Sequence, residues 1–140
     1  MPDTEAAALR SPYDVLDRYY QAMLDKSADD LADLYAADAL HEFPFRAPGF
    51  PPSFEGREAV RAGYRAAWDA SPVRVEEIRR TAVHQTTNPE VIVAEQVVLA
   101  TVPATGASFG VPGLLVLRVH GGRISHVRDY IDTSALGSRT

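Results

Sequence analysis

The segment Val127-Arg128-Asp129-Tyr130-Ile131 sets one carboxylate between aliphatic neighbours near the end of the chain. In an extended strand alternate residues share a face. Val127, Asp129 and Ile131 then point one way, and His126, Arg128 and Tyr130 the other. On an inner face, burial disfavours the charged form of a carboxyl group, which suits a general base or acid near neutral pH. The competing role is structural, with the carboxylate pairing an arginine or capping backbone donors. A second chemical group comes from His41-Glu42-Phe43-Pro44-Phe45, where His41, Phe43 and Phe45 share one face of a short strand. An imidazole beside an aromatic wall could trade protons with Asp129 or with a ligand; a satisfied core histidine is the alternative. Tyr19 could donate its hydroxyl to a developing oxyanion or simply pack in the core. Gln96 is a polar residue in an otherwise apolar run, on the same face as Ala94 and Val98. An inward amide there could orient a ligand carbonyl or a water. Tyr64 and Trp68, three to four residues apart on one helical face, serve as core or as a stacking wall. With Phe43, Phe45, Val98, Leu115 and Val127 they complete the expected lining.

Other chemistries find no residues to carry them. The chain has no cysteine, which removes disulfides, thiolate nucleophiles and cysteine-ligated zinc. Its four histidines are scattered, without the i, i+4 spacing of a metal site, so no metal and no cofactor are expected. GFPPSFEG and PATGASFG lack the strand–loop–helix setting and the lysine of a phosphate loop. The net charge of -5 and the absence of a basic stripe argue against a nucleic-acid partner. No apolar run approaches the roughly 20 residues needed to cross a bilayer, so no membrane partner is expected. Met1–Arg10 is acidic and alanine-rich, unlike a secretory signal, and a cytoplasmic location is expected.

These groups need elements to position them. Ser11-Pro12 is a helix start, followed by an apolar stripe at Val15, Leu16, Tyr19, Met23 and Leu24. Ser27 with Asp30 opens a short second helix carrying Leu31, Leu34 and Tyr35. A third helix follows Gly56, with Ala59, Val60, Gly63, Tyr64, Ala67 and Trp68 on one face, and stops at Ser71-Pro72. Between the second and third helices, Leu40 to Phe45 reads as a short strand, and Pro44, Pro48, Pro51 and Pro52 impose an irregular loop. Strands are expected at 73–84, 91–102, 107–119 and 123–131, with turns at Asn88-Pro89, Thr105-Gly106 and Gly121-Gly122. Helices first and an antiparallel meander second is the α+β pattern. A long twisted sheet curls, and helices on its concave side close a cone that can hold a pocket. The 140 residues fit one domain at 11–134, with flexible tails at 1–10 and 135–140.

The stretches AADALHEFPF, FEGREAV and GGRISHVRDYID, in this order of elements, resemble the SnoaL-like branch of the ketosteroid-isomerase and nuclear-transport-factor superfamily. The terminal G-R-I…R-D-Y pattern is the most specific of them, and the resemblance covers about residues 12–134. It implies a cone-shaped α+β barrel: a curved, mostly antiparallel sheet with three helices from the N-terminal half on its concave face. Ketosteroid isomerases carry their catalytic carboxylate where this chain has Phe43 and a protonated oxyanion-hole Asp near Leu115, while Tyr19 matches their oxyanion-hole tyrosine. Limonene-epoxide-hydrolase-type members, similar along the last three strands, have an Arg and an Asp where Gln96 and Val98 stand. Their second Asp matches Asp129, and their Tyr and Asn match His41 and Phe43. Polyketide cyclases of this type use an acidic base and in some cases a pocket histidine.

The resulting expectation is a cofactor-free acid–base enzyme acting on a small, mostly apolar carbonyl, enol or epoxide compound. Asp129 is its base or acid, His41 the partner, and Tyr19 and Gln96 the polar positioners. Isomerase or cyclase chemistry fits these groups better than epoxide hydrolysis. The alternatives are a binding protein without catalysis and a dimeric structural or assembly module. Val97 and Leu99 would contribute to a homodimer face on the outer side of the sheet.

Overall fold

A computed structural model describes residues 6–46 and 50–132. Helix α1 spans Pro12–Asp25. Its start is an intact capping box: Asp14 N donates to Ser11 Oγ at 3.2 Å, and Ser11 N donates to Asp14 Oδ2 at 2.9 Å. The buried stripe is Val15, Leu16, Tyr19, Tyr20 and Ala22. Lys26 stops the helix in the left-handed region, at φ 49°, and its ammonium donates to the Val73 carbonyl. Helix α2, Ala28–Ala32, is capped by Ser27, whose Oγ accepts from Asp30 N at 3.1 Å. Helix α3, Arg57–Ala70, starts after Gly56 and turns Val60 and Tyr64 inward.

The six strands are β1 (Tyr35–Glu42), β2 (Ser53–Glu55), β3 (Arg74–Gln85), β4 (Val91–Val102), β5 (Ala107–His120) and β6 (Arg123–Ile131). They form one curved, unclosed sheet in the order β2-β1-β6-β5-β4-β3. β3 to β6 are the expected antiparallel meander, and β4 and β6 have the expected bounds. The helices cover the concave face, where α1 contributes Leu16 and Tyr19 and α3 contributes Val60 and Tyr64 to one core with Leu115, Leu117, Ile124 and Val127 from the strands. This is the cone-shaped α+β architecture anticipated for the chain.

The differences lie in the first half. Leu34 and Tyr35 were expected on the second helix, but α2 ends at Ala32 and Tyr35 opens β1. The cause is tertiary pairing. β1 runs parallel to β6, Ile124 N donates to Leu34 O at 2.7 Å, and an Arg123 guanidinium N–H donates to Asp33 O at 2.9 Å. A register shift between Tyr35 and Leu40 breaks the alternation that would have marked the strand. β2, only three residues long, had no pattern to announce it. Residues 6–8 form a helical turn with Ala7 buried, so this part of the expected N-terminal tail packs on the domain. A Cβ on Gly122 would overlap the Ala7 carbonyl, and Gly122 itself has φ +76°. Residues 1–5 of the expected N-terminal tail, the whole expected C-terminal tail at 135–140 and the last two residues of the expected domain, 133–134, lie outside the described residues.

Gly63 serves a different purpose in the middle of α3. A Cβ there would overlap the ring of Phe54 on β2. The glycine therefore lets that ring lie flat against the helix and reach His41, with the two ring centres 6.2 Å apart. Alanine normally favours a helix interior over glycine by about 1 kcal/mol. Here Gly63→Ala is expected to destabilise the protein by about 1–3 kcal/mol, the usual cost of overpacking. Urea denaturation measures the difference, and a gain in stability would show that Phe54 is not seated against α3.

Candidate functional site

The site begins with the pairing of β1 and β6. His41 sits opposite Val127, which brings it beside Asp129 on the inner face of the neighbouring strand. His41 Nε2 lies 3.1 Å from Asp129 Oδ2. On the other side of the ring, Nδ1 lies 2.7 Å from the hydroxyl of Tyr35, six residues earlier on β1. A second phenol, Tyr64 from α3, approaches Nε2 at 3.4 Å. His41 is 0% exposed and Asp129 6% exposed, so these groups satisfy one another away from bulk water.

Donor and acceptor chemistry sets the proton positions. Burial pushes the Tyr35, Tyr64 and Tyr19 phenols well above their usual value near 10, and the Asp129 charge raises each of them further. Tyr35 therefore keeps its proton and has one to give to Nδ1; in that tautomer the ring proton lies on Nε2, facing Asp129 Oδ2. Rings wall in this chain. Phe43 tilts over His41 with ring centres 4.8 Å apart, and Tyr64 meets it edge-on at 5.8 Å.

A cavity of about 270 Å³ opens in front of the carboxylate. Asp129 is the one carboxylate among the described residues that line it. Tyr19, Tyr64, Trp68, Gln96 and Val98 line it too. Gln96 is held by Tyr20, whose hydroxyl donates to its Oε1 at 2.7 Å. Tyr20 is pushed up to about 12, chiefly by burial, so it too remains a donor. Tyr19 Oη is buried with no partner in good hydrogen-bond alignment, yet it lies within hydrogen-bonding reach of the Tyr64 and Tyr35 hydroxyls.

Other expected residues fall elsewhere. His41, Phe43, Leu115 and Val127 are buried behind the cavity wall rather than on it. Phe45 lies outside altogether. It is 57% exposed, sits edge-on to Tyr130 at 5.4 Å and lines a surface groove with Pro112 and Leu114. The reason is that β1 ends at Glu42. Phe43 N donates to Pro52 O at 2.9 Å, after which the chain leaves the sheet and the shared face of His41, Phe43 and Phe45 is lost. His84, His120 and His126 each meet a glutamate away from the cavity: Glu95, Glu90 and Glu42 respectively. Sequence reasoning missed Tyr35 by placing it on a helix. Tyr20 was missed although it stands four residues after Leu16, on the same helical stripe. Phe50 and Phe54, at the far end of the proline-rich segment, had no periodicity to reveal them.

Comparison with known proteins agrees with this architecture. An uncharacterised PhzA/B-like protein of Pseudomonas aeruginosa is 28% identical over 98 residues, covering 70% of this chain and 67% of that protein. Among solved structures, an isomerase candidate from Bacillus subtilis superposes with a TM-score of 0.76 at 23% identity, over 88% of this chain and 90% of its own. The Δ5-3-ketosteroid isomerase of a Mycobacterium species superposes with a TM-score of 0.72 at 23% identity, over 90% of this chain and 97% of its own. At such identities these structures speak for the fold alone. A family model for the SnoaL-like domain matches residues 16–127, and with most of the sheet and most of the helical residues inside that span, the chain belongs to the SnoaL-like domain family.

Proposed function

We propose that this protein is a cofactor-free acid–base enzyme, of isomerase or cyclase type, acting on a small and mostly apolar carbonyl or enol compound. One observation carries the reading: Asp129, the one carboxylate among the described lining residues, faces an apolar cavity while a buried histidine–tyrosine pair holds it from behind. In this proposal Asp129 removes a proton from carbon or returns it. His41 orients the carboxylate through Oδ2 and keeps the second oxygen available to the substrate. Tyr19, whose hydroxyl meets the Tyr64 and Tyr35 phenols without good alignment, donates to the oxygen on which charge develops. Hydrolysis by a paired-carboxylate route has less support, because no second acidic group among the described residues lines the cavity. The outer face of β4 and β5 presents Val97, Leu99, Leu114 and Val116 half-exposed, and a homodimer through that face belongs to the same proposal.

A substrate-independent probe tests the base. In 5-nitrobenzisoxazole a base removes the proton on C3, the N–O bond breaks, and a coloured cyanonitrophenolate forms. The wild-type protein is expected to accelerate this opening, and Asp129→Asn to lose about a hundredfold or more of the rate. Equal rates in the two proteins would remove Asp129 from the chemistry. A wild-type rate no greater than that of acetate at equal concentration would leave a binding protein without catalysis.

The oxyanion role requires Tyr19 to stay protonated in the working range. Four of the six tyrosines, Tyr19, Tyr20, Tyr35 and Tyr64, have raised values in the fold. Stabilisation from a phenol with a raised value is complete below the unfolded value near 10 and is lost as pH rises through the folded one. For Tyr20 that window runs from about 10 to about 12. At pH 10.5 the phenolate absorbance near 295 nm is therefore expected to fall about two-thirds short of that in the denatured protein. Full ionisation without unfolding would mean that these hydroxyls are open to water and unfit for the assigned role.

A further inference from the structure

The cavity has a second polar end. Gln96 on β4 pairs with Gly113 on β5, while Asp129 on β6 pairs with Leu115, which pairs in turn with Ala94. Gln96 is thus two strands away from Asp129 and two residues further along. Strand spacing and rise place the two Cα atoms roughly 10 Å apart across the sheet and roughly 7 Å along it, about 12 Å in all for a flat sheet. On a concave face the side chains lean together, so their polar ends are closer than that. After one hydrogen bond at each end, the remaining gap is about the span of a single six-membered ring.

The orientation of Gln96 is built in. Its Oε1 is occupied by the Tyr20 hydroxyl, which burial keeps protonated and donating. The end left to face an occupant is the amide nitrogen, with N–H groups to give and none to accept. Gly113 stands opposite on β5; even a Cβ added there would lie 4.0 Å from Nε2, so only hydrogen borders the amide on that side. The cavity therefore offers an acceptor at Asp129 and a donor at Gln96, separated by walls that include Val98, Val111 and Trp68. Its volume of about 270 Å³ falls just below the usual range of about 300–1,000 Å³ for small-molecule sites.

We infer that the substrate is a ring-sized apolar compound carrying two oxygen functions: one beside the reacting carbon at Asp129, and a second, remote acceptor oxygen read by the Gln96 amide. Gln96 is then a specificity-determining residue, and Tyr20 positions it. The inference deepens the proposed acid–base reading and rests on it for the role of Asp129. The recognition of the remote oxygen is separable from catalysis.

Two near-isosteric phenols test it by titration calorimetry. 4-Hydroxyacetophenone has a hydroxyl to donate to Asp129 and a carbonyl for Gln96; 4-isopropylphenol has the same hydroxyl and no carbonyl. The wild-type protein is expected to bind the ketone about tenfold more tightly, the usual effect of one buried hydrogen bond. Gln96→Leu and Gln96→Met are both expected to abolish that ratio, and Tyr20→Phe to reduce it by freeing the amide to turn. Loss of fold would weaken both ligands together and leave their ratio unchanged, so the ratio reads recognition. In Asp129→Asn the preference is expected to survive, which separates this inference from the fate of the catalytic proposal. A wild-type protein that binds neither phenol or does not discriminate between them, or a preference that persists in both Gln96 variants, overturns it.

Discussion

A buried imidazole must find partners for two ring nitrogens without help from water. In this fold that requirement is met only where β1 and β6 run side by side. β1 provides both His41 and the Tyr35 hydroxyl for Nδ1, and β6 provides the Asp129 carboxylate for Nε2. Parallel pairing is what makes the geometry possible. It joins a strand from the first half of the chain to the last strand, and all the antiparallel strands of the meander follow from β6 outward. Remove that junction and the carboxylate loses its partner, the imidazole loses its shelter, and the aromatic cluster of Phe43, Phe54 and Tyr64 has nothing to enclose.

The arrangement also divides labour among the aromatic residues. The hydroxyls of Tyr35 and Tyr64 are used internally, on His41, while that of Tyr20 fixes Gln96. Desolvation keeps all of them protonated, so each behaves as a fixed dipole rather than a switch. Phe43, Phe50 and Phe54 pack against one another beside His41 and help to exclude water from the imidazole. The polar groups are thereby confined to a few directions in an otherwise apolar interior, as a site that fixes the orientation of a small molecule requires.

Much of this was legible beforehand, and the reasons differ by element. β4 and β6 are long, apolar and flanked by strong turn residues, so periodicity and punctuation agreed on their bounds. The alternation of Val127, Asp129 and Ile131 correctly put the carboxylate inward, and the Asn/Pro and Gly/Gly turns correctly implied a meander. β1 was harder to see because its residues obey a partner far away in sequence. The register shift after Tyr35 destroys the alternation, and the parallel neighbour is not met for another eighty-odd residues. Phe45 misled for the complementary reason: it continues the face of His41 and Phe43 in an extended chain, but Pro44 and the hydrogen bond from Phe43 N to Pro52 O turn the backbone away before that face matters. The tyrosine partners of His41 and Gln96 are contacts between distant elements, and no local pattern encodes them.

Tyr19 Oη is the point at which the packing departs from its own rule. Its neighbours are better placed: Tyr20 donates to Gln96, and Tyr35, His41, Asp129 and Tyr64 form one chain, while Tyr19 meets the Tyr35 and Tyr64 phenols without good alignment. An unmade hydrogen bond at a buried polar group costs about 1–3 kcal/mol, part of which a poorly aligned phenol incurs and a phenylalanine with the same ring packing would not. That donor belongs to a residue of the cavity wall, where Asp129 is the one carboxylate among the described lining residues. On the proposed acid–base reading, that hydroxyl is the one with the most to gain when an oxygen-bearing molecule arrives, and the difference between the empty and occupied states would supply interaction energy that grows as charge develops on the oxygen.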